Sequence, residues 1–353
     1  MDDDEVDVSP FDKLPADVDI ALTAVLQQGD IPPRSLALYA RWWQLENWLR
    51  ELAYVELRSR DGLAWSDNLG DQAKTRQQND KRFEYMASPD WHDPLAYLDA
   101  SKLFNLIDEH WQLFEPSLLS EAAWRGRRDE LLGIRNRIGH LRRPHLDDLR
   151  RLEQMLRDLE NGTFRAITSY NRLFDISQLS STDMVVAAYR SDAFANAEGL
   201  IGHAYRKYHI TLRLSYTVRP WAAYPEDGAT VSGTSGLLWK VTCYGGGIHQ
   251  FDVKHTWREL TPYTRQILLH VLLSIGGTIE MTLPAVDNPE RVVIAIGDML
   301  QVVLSCIRPY KEAAQNSSGV TSRTLGLDSR IQIDSPWAFV DDSMTPISFF
   351  NAP

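Results

Sequence analysis

The sequence predicts an N-terminal all-α helical bundle followed by a C-terminal α+β domain. Two features carry that reading. Between about residues 31 and 160, apolar side chains recur at spacings of three and four, the period of an amphipathic helix; beyond Tyr208 the period shortens to two, that of a strand. The chain has 353 residues, too many for one typical domain. With 44% apolar residues it can bury a sizeable core. The expected divisions are an acidic flexible arm at 1–30, a helical bundle at 31–170, a connector at 171–205 and an α+β domain of unassigned role at 206–353.

The bundle is justified element by element. A short helix is expected near Ile20–Leu26 inside the arm. After Ile31-Pro-Pro, Ser35 reads as an N-cap for a long helix whose stripe is Leu38, Trp42, Leu45, Leu49 and Leu52, stopped by Gly62. Glu46 and Arg50, four apart beside that stripe, have the order that favours an intrahelical ion pair. Such a pair is ordinarily structural, or it supports a neighbouring site. The stretch 67–93 is polar and at best partly helical. Pro94 is expected to open a second helix that Pro116 ends. A third runs from Ser120 to Gly139, with Trp124, Leu131, Ile134 and Ile138 on its apolar face. Pro144 suits the first turn of a fourth, through Leu146, Leu149, Leu152, Leu156 and Leu159, stopped by Gly162.

In the second half, Tyr208 to Arg219 alternates apolar and polar residues and reads as a half-buried strand. Leu237–Tyr244 and Ile248–His255 are further strand candidates. Thr264–Ser274 reads as a helix and Thr278–Leu283 as a strand. Asn288-Pro289-Glu290 combines an N-cap, proline at the first helical position and a first-turn acid, opening a helix to Ile307. Strand character returns at Ile331–Ile333 and Ile347–Phe350. Hairpin-length links favour an antiparallel sheet.

Composition narrows the function classes. No window is long and apolar enough for a membrane span, and the acidic start is the opposite of a signal peptide's, so a cytoplasmic protein without membrane contact is expected. Cys243 and Cys306 form neither a disulfide framework nor a metal cluster. His249 and His255 are too far apart along a strand for one metal, and no phosphate-binding loop is present, so no cofactor or metal is expected. The formal charge of −11 argues against a nucleic-acid partner until it is located. Up to Asp30 the chain carries nine acids against Lys13 alone, whereas between Glu121 and Asp158 arginines outnumber acids. A phosphate backbone responds to local charge, not to the total.

That basic run contains Leu131 to Leu146, LLGIRNRIGHLRRPHL. Cutting RNA without a metal requires removal of the 2′-OH proton, stabilisation of charge on phosphate and protonation of the leaving 5′-oxygen. Histidine can move the protons and arginine can hold the phosphoryl oxygens. Arg135, Asn136 and His140 are the candidate catalytic residues, and Arg137, Arg142, Arg143 and His145 the candidate substrate-binding ones, with Glu46 and Arg50 in support. On an ideal helix positions 135 and 140 lie about 140° apart. The helix therefore has to stop at Gly139 for His140 to swing back toward Arg135. One histidine is half of what the reaction needs; a second copy facing the first would supply the rest. A purely structural reading stands beside this one: Gly139 as a C-cap, and Arg135, Arg137 and His140 complementing the helix dipole.

Arg135-Asn-Arg-Ile-Gly-His140, at the end of a late helix in a bundle, resembles the R-x(4–6)-H signature of HEPN-domain ribonucleases. The opening helix, ARWWQLENWLRELAYVELRSRDG, resembles bacterial HEPN proteins of toxin and phage-defence settings. The resemblance covers about residues 31–170. It implies a dimeric, metal-independent endoribonuclease that leaves a 2′,3′-cyclic phosphate, with Arg135 and His140 essential and Asn136 supporting. The partners it implies are RNA (tRNA among the candidates), a second copy of the chain, and an antitoxin or other regulator. Members of that family that have lost activity only bind, so a non-catalytic module holding a nucleotide, nucleic acid or partner protein is the alternative. The acidic arm reads by its charge as a solubilising tail; as a pseudo-substrate over the arginines it would make the protein self-inhibited.

Overall fold

The computed structural model describes residues 16–28, 31–82, 93–167, 172–194, 197–246, 248–263, 266–274 and 277–311. The first fifteen residues of the arm and the strand-like stretches at 331–333 and 347–350 lie outside them. Within the arm, α1 (Ala16–Gln28) is longer than the helix expected there.

The spine of the molecule is α2 (Pro33–Asp61), which buries Leu38, Trp42, Leu45, Leu49 and Leu52 as the spacing predicts. Pro33 takes the first helical position, where its missing N–H is no loss, so Ser35 falls inside the first turn instead of capping it. Gly62 ends the helix at φ 59°, and a Cβ there would press on the Asp287 carboxylate; both demands select glycine. The polar stretch that follows holds α3 (Gly70–Asp80). The single helix expected from Pro94 is divided. Pro94–Tyr97 makes a 3-10 turn, Asp99 then caps α4 (Ala100–Glu109) by accepting the Lys102 N–H, and the chain breaks at His110 before α5 (Trp111–Phe114).

The last two bundle helices are α6 (Glu121–Gly139) and α7 (Asp148–Ile167). Two expectations about α7 fail for local reasons. Pro144 lies in the loop ahead of it, because the start is set by Asp148, whose carboxylate accepts the His145 N–H at 2.9 Å. Gly162 lies inside the helix and does not stop it; a Cβ there would overlap the Ser117 carbonyl, so glycine lets α7 approach closely. Asp108 ties α4 to α6, accepting from Trp124 Nε1 at 2.8 Å and from Arg128. Trp48, Phe104, Phe114, Trp124 and Met155 fill the core between α2, α4, α5, α6 and α7.

The second half is α+β, as expected. Its elements are β1 (Phe174–Asp175), α8 (Met184–Ser191), β2 (Ala193–Phe194), β3 (Ala197–Glu198), α9 (Leu200–Tyr208), β4 (Thr211–Val218), β5 (Leu237–Tyr244), β6 (His249–Phe251), α10 (Val253–Leu260), β7 (His270–Ser274), β8 (Thr278–Pro284), α11 (Pro289–Ser305) and β9 (Ile307–Pro309). An antiparallel sheet has the order β1-β4-β5-β8-β7, while β6 and β9 pair separately. Asn288 caps α11, accepting the Glu290 and Arg291 N–H groups. The strand expected at Ile248–His255 stops at Phe251, because Asp252 caps α10 by accepting the His255 N–H; His255 is helical. The helix expected at Thr264–Ser274 is instead the strand β7 over its described C-terminal part, since its apolar run pairs with β8.

The alternation in β4 places Leu212, Leu214, Tyr216 and Val218 against the core beside α11, but the strand is not half-buried. Ser215 and Thr217 on the opposite face are buried too. Leu238 and Leu269 join the bundle core, so helices and sheet share packing. The junction is held by charge. Arg219 donates to Glu56, which also accepts from Trp221 Nε1 at 2.7 Å. Arg58 donates to both oxygens of Asp287, at 2.8 and 2.6 Å, and to the Gln266 carbonyl at 3.0 Å. All four ionic side chains are fully buried. Among the described residues, no helix is long and apolar enough to cross a membrane.

Removing one partner of a buried pair strands the other charge in the interior, at a cost of about 3–5 kcal/mol. Glu56→Ala is therefore expected to lower the stability of the chain by that order in urea unfolding. Replacing Lys74 of the exposed Lys74–Asp67 pair with alanine is expected to change it by under about 1 kcal/mol. Equal effects from the two substitutions would show that the junction does not depend on the buried charges.

Candidate functional site

The segment around Arg135 is built by the end of α6. His140 is the C-cap, at φ −106° and ψ 17°, so the helix stops after Gly139, where the sequence predicts its end. The left-handed residue of the cap is Leu141 (φ 52°) and not Gly139, which stays helical. Backbone bonds from Leu141 N–H to the Ile138 carbonyl (3.1 Å) and from Arg142 N–H to the Arg137 carbonyl (2.8 Å) close a Schellman turn. A leucine in this conformation is strained, and this one is 96% exposed; Leu146, at the other side of the loop, is 77% exposed.

The loop is clamped from below. Arg137 donates to both oxygens of Asp148, at 2.7 and 2.5 Å, and the same carboxylate receives the His145 N–H. Burial pushes the Asp148 carboxyl up, but the Arg137 hydrogen bonds and the His145 N–H outweigh it and hold it below its usual 3.8. The Arg137 guanidinium, expected to meet substrate, is thus occupied in joining the two helices. His145 lines a groove of about 280 Å³ between α6 and α7 whose charged lining is Asp129, Glu130, Asp147 and Asp148 with Arg137 and Arg151, the two arginines being paired to Asp148 and Glu130.

The basic run divides by partner. Arg125, Arg127, Arg128, Arg137, Arg151 and Arg157 each have a carboxylate within 4.0 Å. Among the described residues Arg135, Arg142, Arg143 and Arg150 have none. The unpaired charge is therefore concentrated on the last turns of α6, the loop and the first turn of α7. The Arg135 guanidinium lies along its own helix, 3.6 Å from where a Cβ of Gly139 would stand, and so reaches the turn that ends at His140. Asn136 and His140 are exposed, Arg135 half-buried, and no hydrogen bond joins their side chains among the described residues. This arrangement presents a guanidinium, an amide and an imidazole to solvent within one and a half helical turns, beside Arg142 and Arg143.

Glu46 and Arg50 form the ion pair expected of them, at 2.5 Å. Trp42 Nε1 also donates to Glu46 (2.7 Å), and Arg50 reaches the Leu98 carbonyl (3.2 Å). They anchor the segment ahead of α4, and no hydrogen bond connects them to residues 135–140. Sequence reasoning passed over Asp148, whose signal was two acids at a helix start, and Arg150, whose lack of a partner only the fold reveals.

Two substitutions test the clamp and its cap. Asp148→Ala should cost about 2–3 kcal/mol, since it unpairs Arg137 and frees the loop. Because the Asp148 carboxyl is depressed in the folded chain, its stabilisation is complete above pH 3.8 and is lost as pH falls through the lowered value; denaturant midpoints should drop there in the parent but not in Asp148→Ala. Leu141→Gly should raise stability by about 1 kcal/mol by relieving the left-handed strain; a fall would mean that leucine is held there by packing. Compared with known proteins, the chain matches no family model, no curated protein and no solved structure.

Proposed function

We propose that the chain is a metal-independent endoribonuclease that works as a dimer, with Arg135 and His140 as its catalytic residues and Asn136 beside them. One observation carries the reading: within the basic run, the arginines that have no carboxylate partner among the described residues gather at the helix end that also exposes Asn136 and His140. The likeness of Arg135-Asn-Arg-Ile-Gly-His140 to the HEPN signature, at the end of a helix packed in a bundle, supports it.

In this reading a histidine takes the proton of the 2′-OH, and the 2′-oxygen attacks phosphorus. The bond from phosphorus to the 5′-oxygen breaks as a second histidine protonates that oxygen, which leaves a 2′,3′-cyclic phosphate and a 5′-hydroxyl. Arg135 holds the phosphoryl oxygens while charge builds on them. His140 supplies one proton-transfer group and the His140 of a second copy the other. The exposed Leu141 and Leu146, flanking Arg142 and Arg143, give the apolar surface through which two copies would meet. Arg142, Arg143 and Arg150 steer the RNA backbone, while Arg137 acts indirectly by fixing the loop. Cleavage of cellular RNA would suit a toxin or an anti-phage effector.

The test compares the parent with Arg135→Ala and His140→Ala on total RNA and tRNA in EDTA. Loss of a proton-transfer or charge-stabilising group should slow cleavage about 10²-fold or more. Intact RNA with the parent, or equal cutting by His140→Ala, would end the proposal.

A further inference from the structure

The second half of the chain carries its own cationic surface, at the end of the sheet opposite the α2 junction. There the last turn of α9 meets β6, where the Tyr208 ring contacts His249. The Tyr208 ring is held edge-on between His203 and His249, with ring centres 5.8 and 5.4 Å away, and the Lys207 ammonium sits 4.8 Å over it. Tyr205 is 62% exposed. Tyr310, 52% exposed, follows β9, its N–H bonded to the Ile248 carbonyl at 2.7 Å, one position along the ladder from His249 and so on its other face.

Arg206 and Lys207 are the basic residues of the last turn of α9, where they face the negative end of the helix, but they do not close it. Backbone bonds from His209 N–H to the Tyr205 carbonyl (3.0 Å) and from Ile210 N–H to the Ala204 carbonyl (3.2 Å) close the end of α9, with His209 left-handed at φ 56°. Among the described residues neither Arg206 nor Lys207 has a carboxylate partner. Asp192, which with Arg206 borders Gly202, is engaged by the Ile201 and Gly202 N–H groups. Exposed rings interleaved with unneutralised cations are what a single strand requires, since every base has a face to stack and every phosphate a charge to meet. A duplex would keep its bases out of reach of the rings.

We infer that this end of the sheet is a second RNA surface, on which single-stranded RNA stacks a base against Tyr205 and sets phosphates against Arg206 and Lys207. The choice of RNA over other polyanions rests on the ribonuclease reading; the surface itself rests on its own geometry.

The experiment uses the full chain with His140→Ala, so that RNA survives, and follows the anisotropy of a fluorescein-labelled uridine-rich RNA of about 12 nucleotides, a length suited to a single-strand site. At low salt, Arg206→Ala/Lys207→Ala should weaken binding about fivefold or more and flatten its salt dependence by about 1.4 in log–log slope, two phosphates' worth. Tyr205→Ala should also lose about fivefold or more, and Tyr205→Phe, which keeps the ring, should bind like the parent. Thermal melting of each variant verifies folding; these side chains are exposed and should leave it unchanged. Unaltered affinity in both the double variant and Tyr205→Ala, or a parent that prefers duplex RNA, would overturn the inference. If His140-intact chain leaves RNA uncut while the binding losses remain, the nuclease reading falls and the surface stands; cutting with unaltered binding would do the reverse.

Discussion

Two ion pairs withdrawn from water hold the molecule in one arrangement. Glu56 and Arg58 are two residues apart on α2, about 200° around the helix, so the end of α2 is gripped from two sides. Arg219, just past the end of β4, takes Glu56, and Asp287, just ahead of α11, takes Arg58. Each charge is buried, so each would be costly without its partner, and alternative packings that separate them are penalised. Trp221 and the Gln266 carbonyl satisfy further lone pairs and protons, which makes the burial tolerable.

The same economy of charge shapes the candidate site. In the bundle most arginines of the basic run serve structure: Arg128 ties α6 to Asp108, Arg137 ties it to Asp148, and Arg151 reaches across to Glu130. Those pairs neutralise the flanks and leave Arg135, Arg142, Arg143 and Arg150 against Asp147, an exposed acid that has no ion pair among the described residues. A chain of net charge −11 can thus present a cationic end without contradiction, because screening in salt limits each charge to neighbours within about 10 Å. The clamp ties the eight-residue loop, which bears two exposed leucines, to both α6 and α7.

Much of this architecture could be read from residue order. The stripe on α2 and the Asn288-Pro289 start of α11 are local signals with local causes, and both hold; a strand was legible at β4, but it starts at Thr211 after a helix that ends at Tyr208, and its polar face is buried from Ser215 on. What escaped reading depends on distant partners. A glycine interrupts a helix only if nothing rewards its small size, and Gly162 is rewarded by the Ser117 carbonyl. The apolar run in β7 has no period of its own, and pairing with β8 makes it a strand. Thr217 looks solvent-facing from alternation, yet the sheet is covered on that side as well. At the site, the end of α6 at Gly139 was legible. That Arg137 belongs to Asp148 while Arg135 belongs to no carboxylate was not, since sequence counts charges without pairing them.

The chemistry of the RNA end left by cleavage tests the central claim most directly. With the parent chain in EDTA and a defined RNA, mass spectrometry of the upstream fragment should show a 2′,3′-cyclic phosphate, and a single 2′-deoxy nucleotide at the cut position should block cleavage there. A 3′-hydroxyl end, or unimpaired cutting beside the deoxy position, would contradict attack by the 2′-oxygen and with it the roles assigned to Arg135 and His140.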